Sequence, residues 1–172
     1  MPIYALGELV PRIHPDAFVH PEAVIIGDVE IGALSSVWPG AVLRGDDGDI
    51  LVGERTSIQD GVIVHTWDEH PTRIGSGCVI GHLAHLEGCH IGDDVLIGSG
   101  AIVLRRAVVE TGSLVGAAAL VPPGKVVPSG AQAVGVPVQI REGRADVEDI
   151  RDSANRYVER VPRYRAGLRR IG

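Results

Sequence analysis

Along most of this chain an aliphatic residue returns at every sixth position, with polar and small residues between. The series runs Ile13, Val19, Ile25, Ile31, Val37 and Leu43, then Val52, Ile58 and Val64, then Ile74, Ile80 and Leu86. It continues through Ile91, Ile97, Val103, Val109, Val115, Val121 and Val127 and ends weakly at Ala133. Nineteen of these twenty positions are Ile, Leu or Val, types that fill only 52 of 172 residues, so the series is an internal repeat. Glycine follows the aliphatic residue at 32, 53, 75, 81, 92, 98 and 116. Four places after it stands something small, at Ala17, Ser35, Ala41, Ala84, Ala101, Ala107, Ser113, Ala119 and Ala131.

A period of six fits neither the helical period nor the two-residue alternation of a simple strand. It predicts a short strand and a tight corner, repeated around a solenoid with one aliphatic side chain pointing inward per side. Three sides per turn would give about seven coils, ~30 Å tall at ~4.8 Å between paired strands. Residues 144–171 have another rhythm. Val147, Ile150, Ala154, Tyr157, Val161, Tyr164, Leu168 and Ile171 step by three and four, an amphipathic helical stripe with the arginines off it. Pro162 is expected to kink or divide that helix. The predicted organisation is a solenoid over residues 1–140 and a C-terminal helix over 141–172 that covers one side of it.

Composition narrows the classes of function. Only six residues are aromatic, too few for a base-stacking surface. Residues 1–140 carry 16 acids against 7 bases, whereas 141–172 carry 9 arginines against 6 acids. The basic helix has acids interleaved and the body is acidic, which argues against nucleic-acid binding. No run of about 18 apolar residues lacks Gly, Pro or charge, so no membrane span is expected. The opening MPIYALGELVPR has no basic leader region, and two cysteines, Cys78 and Cys89, cannot staple a domain. A cytoplasmic location is the expectation.

Candidate chemistry lies where the repeat breaks. If a turn has three sides, named a, b and c from Ile13 on a, the irregular steps are Leu43 to Val52 (nine), Val64 to Ile74 (ten) and Leu86 to Ile91 (five). All three fall at the corner leaving side c, and loops on a rigid scaffold are where function concentrates. On that side the residue after each inward one points outward, which stacks Arg44, His65 and Glu87 one coil apart. Imidazole and carboxylate in one column can share a metal ion, although a solvated His–Glu pair is the commoner outcome. Asp60 and His82 form a second column on side b. One chain cannot bring His82 to His65, but a second subunit can. His14 and His20 read as surface histidines, and Cys78 as a small corner residue.

The stretch VLRGDDGDILVGERTSIQDGVIVH, followed by IGHLAHLEGCHIGDDVLIGSGAIV, closely resembles the γ-class carbonic anhydrases and their bacterial relatives. The resemblance covers nearly the whole chain, including SANRYVERVPRY, which is similar to the family's C-terminal helix. It implies an all-β solenoid, a three-sided left-handed parallel β-helix of hexapeptide repeats, as an exception to the usual right-handed crossover. It also implies a homotrimer that hydrates CO2 reversibly to bicarbonate at metal sites shared between subunits.

Carried over by position, Arg44 and Asp46 match the pair that meets across the family's interface. Gln59 and Asp60 match residues lining its active site, and Asp47 and Asp68 lie near the place of its acidic proton-shuttle loops, which are shortened here. His65 and His82 match the first two zinc-ligating histidines. The third position departs from the pattern, because LEGC stands where LHGC is expected, so Glu87 takes the histidine's place and His85 is the alternative ligand. Ser57 stands where the family often has Asn. Two histidines and a glutamate are a workable zinc set, with Fe2+ or Co2+ accepted by the same ligand types. A carboxylate lowers the site's charge from +2 to +1, so an activated water gives up its proton less readily and metal binding is expected more firmly than fast hydration. The alternatives are a metal-binding relative without useful hydratase activity and a hexapeptide-repeat acyltransferase with His70 as its base.

Overall fold

The computed structural model describes residues 2–67 and 70–172. Its body is a left-handed parallel β-helix of about seven turns, closed at one side by a single C-terminal helix. Every described strand pair is parallel except the last, where Gln132–Val134 meets Gln139–Arg141 antiparallel. The aliphatic series is the core. All its members are buried except Ile13, which is half-buried at the end of the stack. Stacked in register, they fill the interior with apolar side chains, and the coil-to-coil ladder satisfies the backbone groups buried with them.

The corners follow from the small residues. Ala41, Ala84, Ala101, Ala107, Ser113, Ala119 and Ala131 are each at most 1% exposed, so a larger side chain has no space there. The glycine after the inward residue lets successive coils close up. A Cβ on Gly53 would stand 2.7 Å from the Gly75 carbonyl carbon in the next coil, inside contact distance. The residue before each of these seven corner positions turns left-handed, as at Leu83 (φ 61°) and Ala118 (φ 54°), which holds the chain at a sharp bend.

Sides a and c form one twelve-stranded sheet and side b a separate eight-stranded one. The join is made by two long strands, Val24–Ile31 and Val42–Val52, which run round the corner leaving side c without a break. Their register slips between Gly27 and Val29, where the second strand carries its three extra residues. That slip falls within the RGDDGD segment, of which Arg44 and Asp47 are exposed.

The helix, Val147–Gly167, begins at Asp146, whose side chain accepts from the Asp149 N–H at 3.1 Å, and packs on side b. Ile150, Ala154 and Val161 are its buried residues. Phe18 and Trp38 of the solenoid interlock with Tyr157, Val161 and Tyr164, and the Trp38 and Tyr164 rings lie 4.9 Å apart at 86°. Two expectations need correction. Pro162 does not divide the helix, because Val161 and Tyr164 are packed on either side of it and Arg165 is bonded to the Asp16 and Ala17 carbonyls. The stripe also stops early: Leu168 and Ile171 lie beyond the helix and are exposed, the latter at 89%. His20 is a third correction. It is buried, not a surface histidine, because its ring lies against Phe18 and its Nδ1 accepts from the Glu22 N–H at 3.1 Å.

Candidate metal centre

The outward column on side c is in register. Arg44 pairs with His65 and His65 with Glu87 on adjacent strands, as strand alternation predicts. All three project at the corner where the irregular loops leave, and His65 and Glu87 are largely shielded, with side chains 16% and 17% exposed. The two nitrogens of His65 face two different carboxylates. Nε2 lies 3.0 Å from Asp46 Oδ1, and Nδ1 lies 3.9 Å from Glu87 Oε2. Glu87 Oε2 in turn stands 3.7 Å from His85 Nε2, so both candidate third ligands border the same space.

Asp46 is held from two sides, by His65 and by a short contact from the Arg44 guanidinium. Partial burial pushes its carboxyl pKa up, but the hydrogen bonds from His65 and Arg44 outweigh that and leave it below the ordinary carboxylate value. Within this chain, then, Arg44 and Asp46 pair with each other. Asp47, exposed beside them, completes a group with Asp46 and His65 whose donor atoms all lie within 4.8 Å of one another. That is a different donor set from the one read in the sequence. Its carboxylate Asp46 already spends its charge on Arg44, whereas Glu87 has no cationic partner except histidine among the described residues.

Asp60 and His82 also meet as their column predicts, Asp60 Oδ2 lying 2.9 Å from His82 Nδ1. Both side chains are about half exposed. His82 stays on side b and does not join His65 in the chain. Gln59 is 4% exposed and its side chain bonds to no other described residue. Ser57 is buried and accepts from Trp38 Nε1 at 3.1 Å, which ties it to the helix anchor. Asp68 lies outside the described residues. His70 is half-buried, and its backbone pairs with that of Trp67 across the loop. Cys78 is the corner residue expected: its Sγ donates to the Gly92 carbonyl at 3.0 Å, and burial pushes its thiol pKa up to about 12. No spacing in the sequence singled out Thr72, a buried residue bonded to the backbone of the site.

Residues 11–45 and 71–105 match the bacterial transferase hexapeptide (six repeats) pattern. The carnitine operon protein CaiE of Salmonella agona is 36% identical over 170 residues, covering 98% of this chain and 86% of that protein. The chain belongs to the hexapeptide-repeat family of γ-carbonic-anhydrase-like proteins. Within that family, γ-carbonic anhydrase 2 of Arabidopsis thaliana mitochondria is 40% identical over 156 residues, covering 86% of this chain. The chain spans 56% of that plant relative's length. A Bacillus cereus protein provisionally described as an acetyltransferase has a solved structure that superposes with a TM-score of 0.93 at 35% identity, covering 96% of this chain and 98% of that one. Among the described residues, no helix is long and apolar enough to cross a membrane.

Proposed function

We propose that this chain is the subunit of a homotrimeric, metal-dependent lyase of the carbonic anhydrase type, in which His65 and Glu87 of one subunit and His82 of a neighbour hold a divalent ion. The in-register stacking of His65 over Glu87, with the far nitrogen of His65 held by Asp46, carries the reading. A histidine that binds a metal usually gives its other ring N–H to a carboxylate, a backbone carbonyl or a water, which sets tautomer and ring orientation. Asp46 does this for His65, and Asp60 does the same for His82 through Nδ1, which leaves Nε2 as the nitrogen offered to the ion.

The donor set fits a zinc-like ion. Two donors at ~2.0–2.2 Å from one tetrahedral ion stand about 3.4 Å apart, and the 3.9 Å between His65 Nδ1 and Glu87 Oε2 closes to that by a small side-chain rotation. Zinc is the ion proposed, with Fe2+ or Co2+ accepted. When bound, it supplies Lewis acidity that acidifies a water and places it as the nucleophile for CO2. Gln59 offers a buried amide to orient the substrate oxygen, and Asp47, exposed at the rim, is placed to pass protons to solvent. The two buried free thiols suit a reducing compartment, and we place the protein in the cytoplasm.

Metal content and CO2 hydration, measured on zinc-loaded protein of known native mass, test this. Stoichiometric metal, a trimer and hydration support the proposal. A metal-loaded trimer without hydration would make the protein a binding relative. Acetyl transfer from acetyl-CoA without metal would favour the acyltransferase reading that the Bacillus cereus structure suggests.

A further inference from the structure

The ten-residue step from Val64 to Ile74 takes the chain out of the repeat and back, and the excursion starts directly after His65. Thr72 opens the returning strand, Thr72–Ile74, with none of its surface exposed. Its hydroxyl is used in both directions. Oγ1 donates to the His65 carbonyl at 2.5 Å and accepts from the Gly88 N–H at 2.9 Å. Those are the backbone of one proposed ligand and of the residue directly after the other. Gly88 N–H also reaches the His65 carbonyl directly, at a longer 3.2 Å. The ends of the strands Ile63–His65 and His85–Glu87 are thus tied together through one buried side chain.

At the same corner of the next coils the link is backbone alone, Arg106 N–H to the Gly88 carbonyl at 2.7 Å and Gly124 N–H to the Arg105 carbonyl at 3.0 Å. A hydroxyl clamp of the same kind does occur at another corner. Ser35 Oγ donates to the Gly53 carbonyl at 2.6 Å and accepts from the Thr56 N–H at 2.9 Å, with no proposed ligand on either strand end. The device is therefore a general one for closing a coil, and Thr72 differs in what it holds.

We infer that Thr72 is a positioning residue, whose hydroxyl sets the separation of the His65 imidazole and the Glu87 carboxylate and thereby the affinity of the site for a divalent ion. The inference rests on the reading that these two side chains hold the ion. A shift of a few tenths of an ångström between the strand ends passes directly to two side chains on adjacent coils, because His65 and Glu87 are the last residues of the paired strands that the hydroxyl ties together. Thr72→Val keeps the volume and removes the hydroxyl, while the direct Gly88 to His65 bond remains to hold the coil.

The test compares wild type, Thr72→Val, Thr72→Ser and Ser35→Ala as full-length assemblies. Zinc affinity is read by chelator competition, the Co2+ form by its visible absorption, and folding by thermal melting. Thr72→Val should lose about tenfold to hundredfold in zinc affinity, the usual span for an outer-shell contact, and shift the Co2+ spectrum. Thr72→Ser should restore both. Ser35→Ala should melt earlier yet bind as wild type does. Wild-type affinity and spectrum in Thr72→Val, or an equal loss in Ser35→Ala, would overturn the positioning role while leaving the metal site standing. A wild-type protein that takes up neither ion would overturn the metal site and this inference with it. If Thr72→Val does not fold, Thr72→Cys, which keeps only a weak donor, carries the same comparison.

Discussion

Glu87→His is the substitution with the most to reveal, because it exchanges one proposed ligand for the residue the family places there. Glu87 Oε2 and His65 Nδ1 are 3.9 Å apart, so an ion between them lies about 2 Å from each, and a water on its open face about 4 Å from the carboxylate. One unit charge at 4 Å contributes about 4 kcal/mol at an effective dielectric constant near 20, equivalent to about three pKa units. Glu87 keeps some contact with solvent, which trims the expected change to about one to two units. Removing the carboxylate's charge stabilises the deprotonated water, so the midpoint of the pH–rate profile should fall by that amount and hydration at neutral pH should rise. Stopped-flow CO2 hydration between about pH 6 and 9, on protein with measured zinc content, reads this. Glu87→Ala should lose the metal on dialysis and His85→Ala should keep it. Loss of metal from His85→Ala alone would refute the ligand assignment. An unmoved pH profile in a zinc-loaded Glu87→His protein would show that the third ligand does not limit turnover, and would turn attention to proton export at the shortened acidic loops.

Other outcomes follow from the same structure. Native mass should be near three times 18.1 kDa, and a monomer that retains tightly bound metal would refute the shared site. Arg44→Ala should cost the single chain no more than about 1 kcal/mol, because the guanidinium is 44% exposed, while promoting dissociation of the assembly on dilution; unchanged dissociation would reject its interface role. Trp38→Ala should cost about 3–5 kcal/mol and release the helix, seen as faster tryptic cleavage at its arginines with the solenoid's circular dichroism kept. Cys78 and Cys89 should resist alkylation at pH 8 in the native state and react on unfolding. Both thiols titrate near 12 when buried against about 9 when exposed, so their burial contributes stability that is complete below pH 9 and declines as pH rises toward 12.

The sequence by itself determined the solenoid, its core and the two polar columns. A six-residue period dictates which side chain points inward on every strand, and alternation then dictates its neighbour, so Arg44, His65 and Glu87 share a face whatever the rest of the chain does. The pairing of Asp60 with His82 follows from the same rule. The uninterrupted helix through Pro162, the burial of His20, the choice of Asp46 between Arg44 and His65, and the Thr72 clamp were decided by tertiary structure. Each depends on what another coil or the helix presents at that point: Trp38 against Tyr164, Phe18 against His20, the Gly88 N–H above the His65 carbonyl. Periodicity encodes direction along one strand. The loops leaving side c have left the period, so their side chains take positions set only by the surfaces they land on.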